Sequence, residues 1–334
     1  MNKAERDWLE AYSWLGKRRR HAPPNADVWH LRFHWREHGE ALYQQVRSGK
    51  YRLQPMQLYR HHDKSWVQWS AQDALVLKWV TLQVEEQLPS HPRCVHLKGR
   101  GGGRQSVAQV WQALTSGEYA FVYRTDIRGY YRHIRKAQVL SLVQQHIKDS
   151  VLTDLIAQYL YYNVEDGGEI FTPEQGICRG CALSPLIGAS LLHHVDSYFA
   201  AQQGIYYVRY MDDFVLLARS RWQLRRCVKQ LHQYFNLAGF ETHPDKTQLG
   251  RIEHGFDWLG VWFTPTGTTI APRALENHRI KRLRLYEQAR RRGLSIADSE
   301  SRVRAYEARW DIWVSGMHCL PNSTSYARAK YEIL

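Results

Sequence analysis

Apolar positions recur at helical spacing through the first fifty or so residues. Trp8, Leu9, Tyr12 and Leu15 form one set, and Leu31, Phe33, Trp35, Leu42 and Val46 another. Pro23-Pro24 separates the two helices they predict. Residues 51–70 read as short strands around a polar turn at His61–Lys64. A dense apolar pattern over 71–90, carried by Ala74, Leu75, Leu77, Val80, Leu82 and Val84, predicts a helix. A glycine-rich basic loop at 96–104 leads into a helix at Ser106–Thr115.

Residues 118–126 read as a buried strand ending in an acid, and 133–163 as helix, with an Asp-Gly-Gly turn at 166–168. A helix over 184–203 starts with Ser184 as N-cap and Pro185 at its first position. Residues 205–218 form a β-hairpin with acids in its turn. A helix at 221–238, a turn at 243–246, a strand at 256–263 and helices at 273–293 and 300–317 complete the pattern. The mixed order of strands and helices predicts α+β rather than a doubly wound sheet.

The 334 residues allow roughly two domains. With 44% hydrophobic and 23% charged residues, the chain can bury a core. A net charge of +14 argues against an ordinary acidic metabolic enzyme and favours a polyanionic partner. No apolar run is long enough to span a membrane, and no apolar segment follows the basic N-terminal residues as a secretory signal would require. The cysteines (Cys94, Cys178, Cys181, Cys227, Cys319) are odd in number and lack framework spacing, which fits a reduced, cytoplasmic protein.

Acids at strand ends in apolar surroundings carry the chemistry. Asp126 follows Ala120-Phe121-Val122-Tyr123, and Asp212-Asp213 lie between Ile205–Val208 and Phe214–Leu217. A carboxylate beside buried strands is costly unless compensated. Asp126 and Asp212 meeting edge to edge would repel, and a divalent cation resolves the repulsion. Two carboxylates on a hard ion with open positions is the Mg²⁺ pattern for substrate phosphates. A two-ion version activates an attacking hydroxyl and stabilises the leaving oxygen in phosphoryl transfer. The plainer alternative makes Asp212-Asp213 a simple turn and Asp126 a helix N-cap; the surrounding motifs shift the balance.

Tyr210-Met211-Asp212-Asp213, within VRYMDDFVLLA, resembles the YMDD box of reverse transcriptases. TDIRGYYRHI around Asp126 resembles the family's first acidic motif, and RGCALSPLIGA at 179–189 its QGxxxSP segment. HPDKTQ at 243–248 is similar to its lysine motif, FDWLG at 256–260 to its primer-grip hairpin, and KGRGGGRQSV to the fingers segment of group II intron enzymes. The boxes occur in family order, and the ordered set is more specific than YMDD alone.

The resemblance implies a right-hand polymerase. N-terminal helices and fingers would cover 1–115. A palm with an antiparallel sheet would cover 116–270, carrying further fingers helices, and a small helical thumb 271–334. Asp126 and Asp212 would hold both ions, Asp213 would be the auxiliary catalytic carboxylate, and the Ile127 carbonyl would complete the site. Tyr131 takes the place of an aromatic gate under the sugar of the incoming nucleotide, where a ring collides with a 2′-OH. A plain core aromatic is the alternative, and Tyr130 adjoins it. Gly180, Ser184 and Pro185 would floor the templating base and nucleotide. Arg179 stands where the family usually has Gln, and its planar charged fork can take phosphate or base contacts. Lys246 would approach the pyrophosphate as a general acid or clamp, against the alternative of a solvated turn lysine. Lys64, Lys98, Arg100 and Arg104 would bind triphosphate or template backbone, in a setting that exposes backbone N–H groups.

Trp258 and Gly260 of the primer grip, then Arg279, Lys281, Arg282 and Arg284 of the basic helix after it, are the implied nucleic-acid contacts. Arg304, Tyr306, Arg309, Trp310 and Trp313 repeat at helical spacing and would pack the second thumb helix. Cys178-x-x-Cys181 is a weak zinc signal, because it has no second pair and lies in the RGCALSP box. Too little chain follows the primer grip for a maturase, nuclease or RNase H domain. The expectation is therefore a minimal polymerase resembling stand-alone bacterial retron and phage-defence reverse transcriptases. The implied activity is RNA-directed DNA synthesis from dNTPs on an RNA template or structured non-coding RNA. It would use two Mg²⁺ ions (or Mn²⁺) and yield a DNA product, with an accessory protein as a further partner and no membrane. Untemplated or protein-primed synthesis, and a non-catalytic RNA-binding scaffold, stay open as alternatives; the presence of all three acids weighs against the scaffold.

Overall fold

Side-chain caps start several helices. Asn2 accepts from the Glu5 N–H at 2.9 Å, and the Glu5 carboxylate accepts from the Asn2 N–H at 3.0 Å, opening the helix Lys3–Arg18. Ser220 and Gln223 form a second such box at Arg221–Ala238, which ends at Gly239 in the left-handed region (φ 76°). Asp149 accepts from Val151 and Leu152 N–H and so starts a new helix, Ser150–Leu160. The helix expected over 133–163 is accordingly broken, with Lys136–His146 before the cap.

The computed structural model describes residues 2–61 and 64–317. Its strands are β1 (Met56–His61), β2 (Lys64–Gln68), β3 (Phe121–Asp126), β4 (Val164–Asp166), β5 (Glu169–Phe171), β6 (Ile205–Tyr210), β7 (Asp213–Ala218), β8 (Gln248–Arg251), β9 (Phe256–Trp258), β10 (Val261–Thr264) and β11 (Gly267–Ile270). The chain is α+β and divides into two compact units. One contains residues up to His91 and Gly129–His194; the other contains Pro92–Arg128 and the chain from Val195 onward. No helix among the described residues is long and apolar enough to cross a membrane.

In the first unit, the helix Ala71–Val84 is apolar on every side and sits at the centre, with Leu75, Val76, Leu77, Trp79 and Val80 fully buried. The helix Lys3–Arg18 lies against it through Trp8, Ala11 and Leu15. Strands pair in the order β2-β1-β4-β5, with β1 and β4 parallel.

In the second unit, β6-β7-β3-β8 form a fully antiparallel sheet. Side chains alternate across it. Val122, Tyr206, Val208, Val215 and Leu217 join a core with Val107, Val110, Phe256, Trp258 and Phe263. On the opposite face Phe214 meets Phe235 of the helix Arg221–Ala238, with ring centroids 5.3 Å apart. The helices Pro272–Arg291 and Ile296–Met317 pair through His278 stacked on Trp310 at 4.2 Å, and Trp310 meets Trp313 at 4.8 Å.

Several boundaries differ from expectation. The strand read over 256–263 turns at Leu259 and Gly260 (φ 51° and 83°) into the β9–β10 hairpin, within the segment likened to a primer-grip hairpin. The strand β11, paired with β10, was not anticipated. The helix expected over 184–203 is two, Ser184–Leu191 and His193–Ala200. Ser184 is not an N-cap: Leu183 before it already has helical angles (φ −76°, ψ −30°). The Ser184 hydroxyl instead donates to the Cys178 carbonyl at 2.6 Å.

Candidate active site

Strand pairing brings the acids together. Asp126 ends β3 directly opposite Asp213, the first residue of β7, and Asp212 occupies the tight turn before it. Ligand oxygens of Asp126, Asp212 and Asp213 lie within 4.8 Å of one another. The Ile127 N–H donates to the Asp212 carbonyl at 3.0 Å, tying the two chain segments just past the sheet end.

Two cations offset this negative charge. Lys246 Nζ donates to Asp126 Oδ2 at 2.8 Å, and Arg124 Nη2 donates to Asp213 Oδ1 at 2.9 Å. Arg124 also donates to the Lys246 carbonyl at 2.6 Å, so it fixes the turn that carries the lysine. The compensation is incomplete. Burial, reinforced by the Asp126 and Asp212 charges and opposed by Arg124 and Lys246, pushes the Asp213 carboxyl up to about 6.

The turn is held from beneath. Met211 has φ 55°, unusual for a side-chain-bearing residue. Its N–H donates to His96 Nδ1 at 3.0 Å, and its carbonyl accepts from Arg209 Nη1 at 2.8 Å. Arg209 is fully buried and pairs with buried Asp196, which also accepts from Tyr207 Oη at 2.6 Å. His96 reaches the turn because its segment runs beside β6: Val95 N–H donates to the Arg209 carbonyl, and Arg209 N–H to the Arg93 carbonyl, each at 2.9 Å. Sequence reasoning missed Arg124, His96, Arg209 and Asp196. Arg124 stands two residues before Asp126 and thus on the same strand face, which was the one local signal available.

Other expected residues fall in various surroundings. Trp258 is completely buried, and its indole N–H donates to Ser106 Oγ at 3.0 Å. The expected nucleic-acid contact by this ring is therefore replaced by a core role. Gly260 turns the β9–β10 hairpin, and a Cβ there would lie 3.1 Å from Trp313. Arg279 binds Glu276 at 2.9 Å and Arg282 binds Glu307 at 2.6 Å, while Lys281 and Arg284 are exposed. Arg100 is half-buried at the glycine-rich loop.

In the first unit, Tyr130 is buried with its hydroxyl donating to the Gly188 carbonyl at 2.8 Å, whereas Tyr131 is half-exposed. That separates the core aromatic from the candidate gate. Ser184 is buried, with its hydroxyl on Cys178 and Tyr159, so it supports the 178–184 loop from within rather than facing a ligand. Pro185 is half-buried. Arg179 and Gly180 are exposed and line a cavity of about 560 Å³ with Arg18, His21 and Trp66. Cys178 and Cys181 are buried thiols, and burial drives both upward, Cys181 to about 12. Lys64 opens β2, and its side chain lies outside the described residues.

Residues 73–263 match the family described as reverse transcriptase (RNA-dependent DNA polymerase), more than half of the chain. The chain belongs to the reverse transcriptase family. Solved structures that are similar in part include two of telomerase. Apo telomerase from Candida tropicalis truncated from its C-terminal domain is 13% identical with a TM-score of 0.45, over 59% of this chain and 44% of that one. Apo telomerase from the same organism is 10% identical with a TM-score of 0.46, over 59% and 39%. The chain thus spans less than half the length of either telomerase. No curated protein matches. Polymerases of the reverse transcriptase family use divalent metals, and the three clustered acids form an all-oxygen donor set suited to a hard cation.

Proposed function

We propose that this reverse transcriptase is an RNA-directed DNA polymerase, copying a template or structured non-coding RNA into DNA from dNTPs. The single observation that carries the reading is the convergence of Asp126, Asp212 and Asp213 at one end of an antiparallel sheet, in family motif context. Asp126 and Asp212, with the Ile127 carbonyl, would hold two Mg²⁺ ions, and Mn²⁺ could replace them. Asp213 would complete the catalytic set. When bound, the ions supply activation of the primer hydroxyl and charge stabilisation at the leaving oxygen.

The chain's own groups act around that centre. Lys246, now on Asp126, would swing toward the pyrophosphate and act there as a general acid or positive clamp as negative charge develops. Arg124 keeps Asp213 and the lysine turn in register. Tyr131 is the proposed sugar gate, and Arg179 with Gly180 the proposed contact to nucleotide or template. Lys64 and Arg100 would bind triphosphate or template backbone. Lys281 and Arg284 would give the basic helix a salt-dependent grip on the duplex, with Gly260 setting the hairpin before it. In this reading the sheet β6-β7-β3-β8 is the palm, the two C-terminal helices the thumb, and the N-terminal helices part of the fingers. A cytoplasmic setting, an accessory protein, and a role in a bacterial retroelement or anti-phage defence belong to the same reading.

Primer extension on defined RNA templates, with product sequencing, tests it. Template-complementary DNA, abolished by Asp212→Ala while RNA affinity stays within a few-fold, is the expected result. Product that ignores the template would favour untemplated or protein-primed synthesis. Undiminished incorporation by Asp212→Ala would reject the assignment of the acids.

A further inference from the structure

A second group of ligand atoms lies outside the acid triad and is built from different residues. His34, Glu37 and His38 place one ligand atom each within 4.8 Å of one another. Glu37 Oε2 is 3.3 Å from His34 Nδ1 and 3.9 Å from His38 Nε2. Donors on an ion at about 2.0–2.1 Å sit some 3–3.5 Å apart, so the first distance already fits and the second needs only a small rotamer change.

The local fold explains the convergence. His34 is the junction residue between the helices Asp27–Phe33 and Trp35–Arg47 (φ −91°, ψ 9°). Positions three and four further on return to the same side of the first turn. That turn is anchored from behind, because Trp35 stacks on Tyr12 with ring centroids 3.8 Å apart. His30 packs against the His34 ring at 4.5 Å and restrains its swing. Leu42, Tyr43 and Val46 bury the inner face of the same helix. The three donors therefore stand on a fixed backbone with their outer side open: Glu37 and His38 are 70% and 68% exposed.

We infer that His34, Glu37 and His38 form a binding site for a divalent transition-metal ion, with Zn²⁺ the best fit. Two imidazoles and a carboxylate select against Mg²⁺ and Ca²⁺, which take oxygen donors, and suit Zn²⁺ with a fourth position left to water. The ion would clip the junction between the two helices. The reading is independent of the polymerase assignment, since it uses none of the triad.

The test uses the tag-free 334-residue chain, stripped with chelator and titrated with Zn²⁺ by calorimetry in excess Mg²⁺. One tight equivalent is expected in the wild type, with a zinc-dependent rise in Tm. The double variant His34→Ala/His38→Ala should lose both. Glu37→Gln, a change at an exposed side chain that leaves the fold intact, should weaken binding by about tenfold, or about 1.4 kcal/mol. His30→Ala and Asp126→Asn should keep the equivalent. Unchanged stoichiometry in the double variant and unchanged affinity in Glu37→Gln would overturn the site, as would loss of the equivalent in Asp126→Asn alone.

Discussion

Lys246 Nζ lies 2.8 Å from Asp126 Oδ2, so the most deeply buried carboxylate of the triad has an ammonium as its counter-ion. In the free protein the lysine supplies charge at a position where divalent ions are proposed to sit. On that proposal, ion loading would be coupled to lysine release, and the lysine would become available for a substrate phosphate when Asp126 takes another partner.

Lys246→Ala should consequently destabilise the free protein, because it leaves a buried carboxylate without its partner. Added Mg²⁺ should restore much of the loss. Thermal melts with and without millimolar Mg²⁺ check this; an equal loss of Tm in both conditions would separate the lysine from the ion site.

Asp213 makes the acid site pH-sensitive. Its carboxyl is raised from an ordinary value of 3.8 to about 6, so the folded state holds this proton more tightly than the unfolded chain. The contribution to stability is full at low pH and is lost as pH rises from about 4 through about 6. The span corresponds to roughly 3 kcal/mol at one pKa unit per 1.36 kcal/mol. A bound cation favours the ionised form, so the Mg²⁺-induced rise in Tm should grow over the same window. Asp213→Asn should flatten that growth. A rise independent of pH in the wild type would contradict it.

His96 should act as a positioning residue for the Met211 turn. His96→Ala removes the acceptor of the Met211 N–H, and kcat should fall by about tenfold with little change in RNA affinity. His96→Asn, which offers a side-chain carbonyl, should recover part of kcat. Equal loss in both variants, tracking Tm, would reduce His96 to a packing residue.

Asp196→Asn should cost about 3–5 kcal/mol of stability, because it strands the fully buried Arg209 guanidinium. Denaturant unfolding measures this directly. A loss under 1 kcal/mol would mean that the pair behaves like a solvated surface one.

The acids were readable because Asp126 and Asp212-Asp213 interrupt apolar runs in motif order, and a carboxylate beside buried strands demands a reason. Their supports were not readable in the same way. His96 meets Met211 across 115 residues, and Asp196 meets Arg209 from a helix onto a strand, pairings that only the tertiary fold creates. Trp258 illustrates a different error. Phe256 and Trp258 share one strand face by simple alternation, which already pointed the indole into the core; the motif drew attention to a surface role instead. Ser184 and Pro185 carried a sound capping signal, yet the hydroxyl found a stronger local use on the Cys178 carbonyl. The residue pattern alone ran 256–263 together as one strand because Leu259 does not announce positive φ, although the FDWLG resemblance had implied a hairpin there.

Asp126 and Asp213 are cross-strand neighbours in one ladder, so the gap between them is inherited from the pitch of the sheet. Loops elsewhere can lengthen, shorten or change composition without altering that spacing. The same arrangement leaves no graded way to detune it: a one-residue slip of β7 would turn the second carboxylate to the wrong side of the sheet. Tolerance at the periphery and intolerance at the ladder thus arise from a single geometric fact.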